Sequence, residues 1–146
     1  MTAPADPMPG VFRLLDANLN RLSEGLRTAE DYARYVLDDA GRASEAKAIR
    51  HDAARWRGLL DAAAGRHAGA AEGRGIAFFR DAAGDVGREA KTPSERERAT
   101  ARDVAEAAVA RSAQALRVIE EFSKLLSADV AREAEARRYA VYAWRW

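Results

Sequence analysis

Residues 16–36 read DANLNRLSEGLRTAEDYARYV, and residues 106–126 read EAAVARSAQALRVIEEFSKLL. Set against each other, the two stretches share Ala17/Ala107, Arg21/Arg111, Leu26/Leu116, Arg27/Arg117 and Glu30/Glu120, with Asp31/Glu121, Tyr32/Phe122 and Arg34/Lys124 as conservative pairs. The segments that follow match as well. Residues 43–58 (ASEAKAIRHDAARWRG) meet residues 131–146 (AREAEARRYAVYAWRW), sharing Arg50/Arg138 and Trp56/Trp144 among others. The order is the same in both halves, with a two-residue slip between the blocks. Two copies of one helical hairpin account for this, and the place where two copies meet is a natural seam for a ligand.

The apolar spacing says that the repeated unit is helical. Leu15, Leu19, Leu22, Leu26, Ala29, Ala33 and Val36 recur at intervals of four and three, which places one stripe on one side of a helix from about 11 to 37. Asp38-Asp39-Ala40-Gly41 breaks it. A second helix is predicted over about 43–64, with Ile49, Ala53, Trp56 and Leu60 inward and Leu59 beside them. Ser94 followed three residues later by Glu97 predicts a capped start for a third helix over about 95–126. Ser127-Ala128-Asp129 separates it from a fourth, over about 129–145, which carries Tyr139, Tyr142 and Trp144; Trp146 closes the chain. The expectation is an all-α fold: a four-helix bundle of two duplicated antiparallel hairpins, 11–64 and 94–146. They are joined by a long Gly-rich crossover, 65–93, and preceded by a flexible lead-in, 1–10, with three of the four prolines.

Composition sets outer limits. A chain of 146 residues is long enough for one domain with its own core. The net charge of +1 gives no bulk attraction to a polyanion, and no basic face stands out, so nucleic acid is not an expected partner. The absence of cysteine excludes disulfides, thiolate metal sites and cysteine nucleophiles. No apolar run is long enough to span a membrane, and the start MTAPADPMPG does not resemble a signal segment; a cytoplasmic location is expected. Arginine outnumbers lysine 21 to 3. GC-rich coding explains most of that excess, while individual guanidinium forks remain suited to phosphate or carboxylate.

Several groups could carry chemistry. Asn18, Arg21 and Gly25 flank the apolar stripe, and Asn20, Glu24, Arg27 and Asp31 form a second, polar stripe opposite it. Gln114, Arg117 and Glu121 repeat the last three of these in the second half, against the simpler reading of a solvated charged face. Arg50-His51-Asp52 is answered by Arg138-Tyr139-Ala140, so the His beside an Asp exists in one copy only, in acid–base reach of a ligand or as a structural helical pair. His67 reads as incidental. The Gly-rich segment offers Arg80-Asp81, Asp85-Val86-Gly87, Arg88, Lys91 and Thr92, anchored by Ile76-Ala77-Phe78-Phe79; two carboxylates among glycines and cations suit Mg²⁺ beside a phosphate. Gly87 and Lys91-Thr92 do not have P-loop spacing, and neither a GxGxxG loop nor a zinc pattern is present.

Taken in order, DANLNRxxEGLRxxEDYARYVLDD (16–39), IRHD (49–52), RDxxxDVG (80–87), TxSE (92–95) and QALRxIEEFSKLL (114–126) resemble one small helical family. It is the monofunctional hydroxymethylpyrimidine phosphate kinase family of thiamine biosynthesis, whose members stand alone or fused ahead of thiamine phosphate synthase. The resemblance spans about 11–146, and no synthase barrel is expected after Trp146. It implies an enzyme that phosphorylates 4-amino-5-hydroxymethyl-2-methylpyrimidine phosphate to its diphosphate with ATP and Mg²⁺. It also implies small-molecule substrates and a functional link to thiamine phosphate synthase; the sequence leaves a homodimer open. Asn18, Arg21, Glu24, Arg27, Glu30, Arg50, His51, Asp52, Arg80, Asp81, Asp85, Arg117 and Glu120 fall on the family pattern. Arg50, Asp81 and Asp85 are then the expected catalytic groups, with Asp81 and Asp85 on the metal. Asn18, Arg21, Glu24, Arg27, His51, Arg80 and Arg117 are expected to bind substrate or nucleotide, with arginines on phosphates and His51 or Asn18 at the pyrimidine edge. Such a site needs no strong base, because the acceptor is already an ionised phosphate and transfer relies on positioning and charge.

This chain departs from the pattern at Ser23, Ala82, Ala108 and Gln114, where the family carries Arg, Thr, Asn and Glu. The two losses in the second repeat keep a different class open: a non-catalytic helical binding or dimerisation module derived from that family. A helical enzyme acting on a carboxylate metabolite through arginine clamps, like helical chorismate mutases, is a third reading that the motif order does not prefer.

Overall fold

The computed structural model describes residues 2–67, 73–88 and 97–144. It holds four helices, α1 (Met8–Asp31), α2 (Ala40–Gly65), α3 (Ala101–Ser123) and α4 (Ala128–Tyr142), and no strand among the described residues. Helix α1 begins three residues inside the segment expected as lead-in. The Asp6 carboxylate accepts from the Met8 N–H at 3.0 Å, and Pro9 falls in the first turn, where a missing N–H costs nothing. At its far end α1 widens into a π turn, Tyr32–Val36. Asp38 then takes a left-handed φ of 51°, which aspartate tolerates better than bulkier residues, and the Asp39 side chain caps α2 at the Arg42 N–H, 2.9 Å away. The expected breaker is therefore split: Asp38 and Asp39 make the turn, while Ala40 and Gly41 already belong to α2.

The start of α3 corrects the sequence reading. Lys91, Thr92 and the expected cap at Ser94 lie outside the described residues, and Glu97 is not helical. Thr100 and Asp103 form the capping box instead, each side chain bonding the other's backbone N–H at 3.1 Å. The physical reason is burial: no described residue between 97 and 104 is buried, and the helix holds only where a face packs. Ser127 caps α4, which ends at Tyr142 rather than at 145; Trp146 lies outside the described residues.

Cross-helix contacts fix the directions. Phe12 meets the His67 ring, Asp16 meets Arg57 and Glu30 meets Arg50, so α1 and α2 run antiparallel. Asp52 pairs with Arg137, while Arg55 and Trp56 both reach Glu133, so α2 and α4 are antiparallel too. Glu120 meets Arg138 near the α3–α4 join, and Val109 and Ala113 share a cleft with Val141 and Trp144 at the other end. The end of α2 and the start of α3 therefore lie at opposite ends of the bundle, about 34 Å apart for a helix of 23 residues, and the chain between them has that distance to cover. Ile76–Phe79 forms a 3₁₀ turn on this path, and fully buried Ile76 anchors it in the core.

Leu15, Leu19, Leu22 and Leu26 of the predicted α1 stripe pack with Ile49, Trp56 and Leu60 of α2, Leu116 and Ile119 of α3, and Val130 and Val141 of α4. Ala29 and Ala33 are buried too, but Val36, expected on the same stripe, is exposed because the π turn rotates it away from the helical register, and Leu59 is exposed as well. Gly25 lies at a close approach of α1 to α3: a Cβ there would collide with the Ser112 hydroxyl and lie 2.9 Å from the Ala108 carbonyl oxygen. Two ion pairs occupy positions that the sequence repeat equates, Glu30–Arg50 and Glu120–Arg138. The i,i+4 pairs Arg27–Asp31 and Arg117–Glu121 are equivalent in the same way. No helix among the described residues is long and apolar enough to cross a membrane.

Candidate functional site

At the end of the bundle where α1 begins, residues 80–85 lie across the first turns of α1 and leave a cleft of about 380 Å³. Arg13, Asp16, Asn18, Asn20 and Arg21 form its helical wall, and Arg80, Asp81 and Asp85 its loop wall. The central group is Asp16, only 2 % exposed. Its carboxylate accepts a two-pronged contact from Arg80 (Nε to Oδ2, 2.8 Å; Nη2 to Oδ1, 2.7 Å) and a third bond from Arg57 Nη1 at 2.9 Å. The Arg80 contact, with Arg57 behind it, holds the Asp16 carboxyl below the ordinary aspartate range despite burial; Asp16 in turn raises Arg80. Arg57 Nη2 also reaches Asn20 Oδ1 at 2.9 Å.

This geometry leaves donors pointing elsewhere. Arg80 spends Nε and one Nη2 hydrogen on Asp16, so Nη1 stays available, and its side chain is 54 % exposed. Arg13 and Arg21 line the cleft with no ion-pair partner among the described residues. Asn18 is buried and donates Nδ2 to the Leu14 carbonyl at 2.8 Å, while its side-chain oxygen accepts no hydrogen bond from a described residue. Three guanidinium groups and one amide oxygen around a concave surface suit a phosphorylated ligand with a hydrogen-bonding ring.

The loop carboxylates have local duties. Asp81 Oδ1 accepts the Gly84 N–H and Asp85 Oδ1 accepts the Gly87 N–H, both at 2.9 Å, so each closes a turn. No group of three His, Asp or Glu side chains among the described residues forms a metal cage. Oδ2 of Asp81 and of Asp85 accepts no hydrogen bond from a described residue.

Of the residues singled out from the sequence, the structure brings together Asn18, Arg21, Arg80, Asp81 and Asp85 and leaves the rest elsewhere. Arg50 is committed to Glu30 (Nε 3.1 Å, Nη2 3.0 Å), and Glu30 lies about 21 Å along α1 from Asp16. His51 is exposed on α2, and its neighbour Asp52 pairs with Arg137 across on α4 and with Arg55 on its own helix. Glu24 is exposed, Arg27 pairs with Asp31, and Arg117 with Glu121, all outside the cleft lining. Sequence reasoning missed Asp16, Arg57 and Arg13 as site residues. One signal was present: Asp16/Glu106 and Arg57/Arg145 are conserved between the repeats, yet nothing local says that an aspartate and an arginine 41 positions apart should meet.

A match to the ThiD2 family covers residues 13–145. The chain belongs to the ThiD2 family. Its similar curated proteins include a thiamine-phosphate synthase of Nostoc punctiforme, 39 % identical over 132 residues, covering 90 % of this chain and 33 % of that protein. Another, of Rhodopirellula baltica, is 39 % identical over 137 residues, covering 91 % and 32 %. A third, of Thermosynechococcus vestitus, is 36 % identical over 140 residues, covering 96 % and 36 %. This ThiD2 member thus spans about a third of the length of these relatives, and its place in a family of thiamine biosynthesis is clear. No solved structure matches it. The enzyme expected from the sequence is corrected by these matches. The resemblance implied a hydroxymethylpyrimidine phosphate kinase, whereas the relatives carry the name of a different enzyme, thiamine-phosphate synthase.

Proposed function

We propose that this chain is the unit of thiamine biosynthesis that holds a phosphorylated pyrimidine intermediate, in the cleft between α1 and the 80–85 loop. The observation that carries the proposal is the set of guanidinium groups there. Arg13 and Arg21 face the cleft without partners among the described residues, and Arg80 is locked against a buried Asp16 with donors to spare. Phosphate monoesters are well served by such forks, and the Asn18 amide can read a ring nitrogen or amino group. Partnership with a thiamine-phosphate synthase is part of the same proposal, since proteins of that name contain this unit as about a third of their length.

Magnesium and ATP enter as further ligands of the cleft. A magnesium ion carried on the nucleotide would meet the free oxygens of Asp81 and Asp85, with Arg13 and Arg21 balancing the added phosphate charge.

Calorimetric titration of the chain with 4-amino-5-hydroxymethyl-2-methylpyrimidine phosphate, beside the unphosphorylated alcohol, tests the reading. Preferential binding of the phosphate is expected, and Arg21→Ala should weaken it. A folded sample that binds neither compound overturns the proposal. Adding Mg·ATP and following any conversion of bound phosphate to the diphosphate separates a holding site from one that also carries out ATP-dependent phosphorylation.

A further inference from the structure

The loop wall of the cleft is exposed throughout residues 80–88, and the Asp81 and Asp85 bonds described above stay within it. Ile76 secures the chain just before this wall. Phe79 then packs on the Phe12 ring of α1, and within the wall Arg80 ties to α1 through Asp16. An exposed arginine samples many rotamers, and fixing it costs entropy whenever it meets a ligand. Here that entropy is lost on folding, because a buried carboxylate grips the guanidinium by two of its nitrogens. Asp16 is itself held by Arg57, which donates to the same Oδ1 that takes Arg80 Nη2 and is steadied by Asn20. The order of support runs from Asn20 through Arg57 and Asp16 to Arg80.

We propose that Asp16 is the positioning residue of the cleft, presenting Arg80 Nη1 to the ligand phosphate and so setting the preference for the phosphorylated over the unphosphorylated pyrimidine. This rests on the reading given under Proposed function. Asp16 need not touch the ligand; it acts through Arg80. Asparagine has one acceptor oxygen, so Asp16→Asn cannot receive the two-pronged grip. Lysine has one nitrogen, so Arg80→Lys cannot deliver it, although the charge remains.

The experiment is a set of paired titrations, phosphate against alcohol, on the full chain carrying Asp16→Asn, Arg80→Lys, Arg80→Ala, and Asp16→Asn with Arg80→Ala. Each variant is checked for helical circular dichroism. The preference ratio should fall about tenfold to a hundredfold in Asp16→Asn, as befits loss of a charge-assisted contact, with affinity for the alcohol little changed. Arg80→Lys should lose as much as Arg80→Ala. In the Arg80→Ala background, Asp16→Asn should change the ratio no further, a result that a purely structural role for Asp16 would not give. If Asp16→Asn fails to fold, Arg80→Lys decides alone: a wild-type ratio with lysine overturns the proposal. A folded Asp16→Asn that keeps the wild-type ratio, or adds its effect to Arg80→Ala, overturns it as well. Failure of the wild-type chain to bind the phosphate is a different result, and it removes the underlying functional reading instead.

Discussion

The two equivalent ion pairs make a quantitative prediction, because burial distinguishes them. Glu120 and Arg138 have side chains 5 % and 7 % exposed, joined at 2.8 Å and 3.2 Å, with Tyr139 and Tyr142 rings 4.7 Å and 5.6 Å from the guanidinium carbon. Glu30 and Arg50 are 9 % and 25 % exposed, so Arg50 can turn to water if its partner is lost. Glu120→Ala leaves a cation with its side chain 7 % exposed beside the two tyrosine rings, which costs about 3–5 kcal/mol. Glu30→Ala leaves a cation that water can reach, costing about 1–2 kcal/mol, between the buried and the surface cases. The assay is urea unfolding followed by circular dichroism at neutral pH. With a urea dependence of about 2 kcal/mol per molar, the midpoint should fall by about 2 M for Glu120→Ala and by less than about 1 M for Glu30→Ala. Equal midpoints for the two variants, or a shift below about 0.5 M for Glu120→Ala, would refute the reasoning that burial rather than repeat position sets the strength of the pair.

Three further outcomes are expected. The Asp16 and Glu133 carboxyls are held below their ordinary values, Asp16 chiefly by Arg80 and Glu133 chiefly by Arg55 with Trp56. Their stabilisation is complete above the unfolded values of 3.8 and 4.5 and is lost as pH falls through the lowered folded ones. Urea midpoints measured from pH 7 to pH 2 should decline below about pH 4.5, and Asp16→Asn should flatten that decline. Gly25→Ala should destabilise the fold by about 1–3 kcal/mol, because the added methyl meets Ser112 and the α3 backbone at Ala108; a midpoint at or above wild type would deny the close crossing. Arg21→Ala should leave the unfolding free energy within about 0.5 kcal/mol of wild type while weakening pyrimidine phosphate binding, since Arg21 is exposed and pairs with no described residue.

The divide between sequence and tertiary structure follows the range of the interactions involved. The α1 stripe from Leu15 to Ala33, the inward positions Ile49, Ala53, Trp56 and Leu60, and the pairs Arg27–Asp31 and Arg117–Glu121 were legible because each depends on helical spacing within a few residues; Val36 was not, because the π turn breaks that spacing. The start of α3 was misread because Ser94-Glu95-Arg96-Glu97 and Thr100-Ala101-Arg102-Asp103 are both capping signals, and only packing from Ala105 onward chooses between them. The cleft was half legible. Asn18, Arg21, Arg80, Asp81 and Asp85 stood out by type and motif, but Arg50, drawn from the same motifs, is engaged with Glu30. What the sequence determined by itself is a set of helices with apolar faces and a repeated order of arginines and carboxylates. Which arginine meets which carboxylate was decided only when the bundle closed: Asp16 sits 41 residues from Arg57 and 64 from Arg80, and a buried carboxylate takes whatever cation the packing delivers to it.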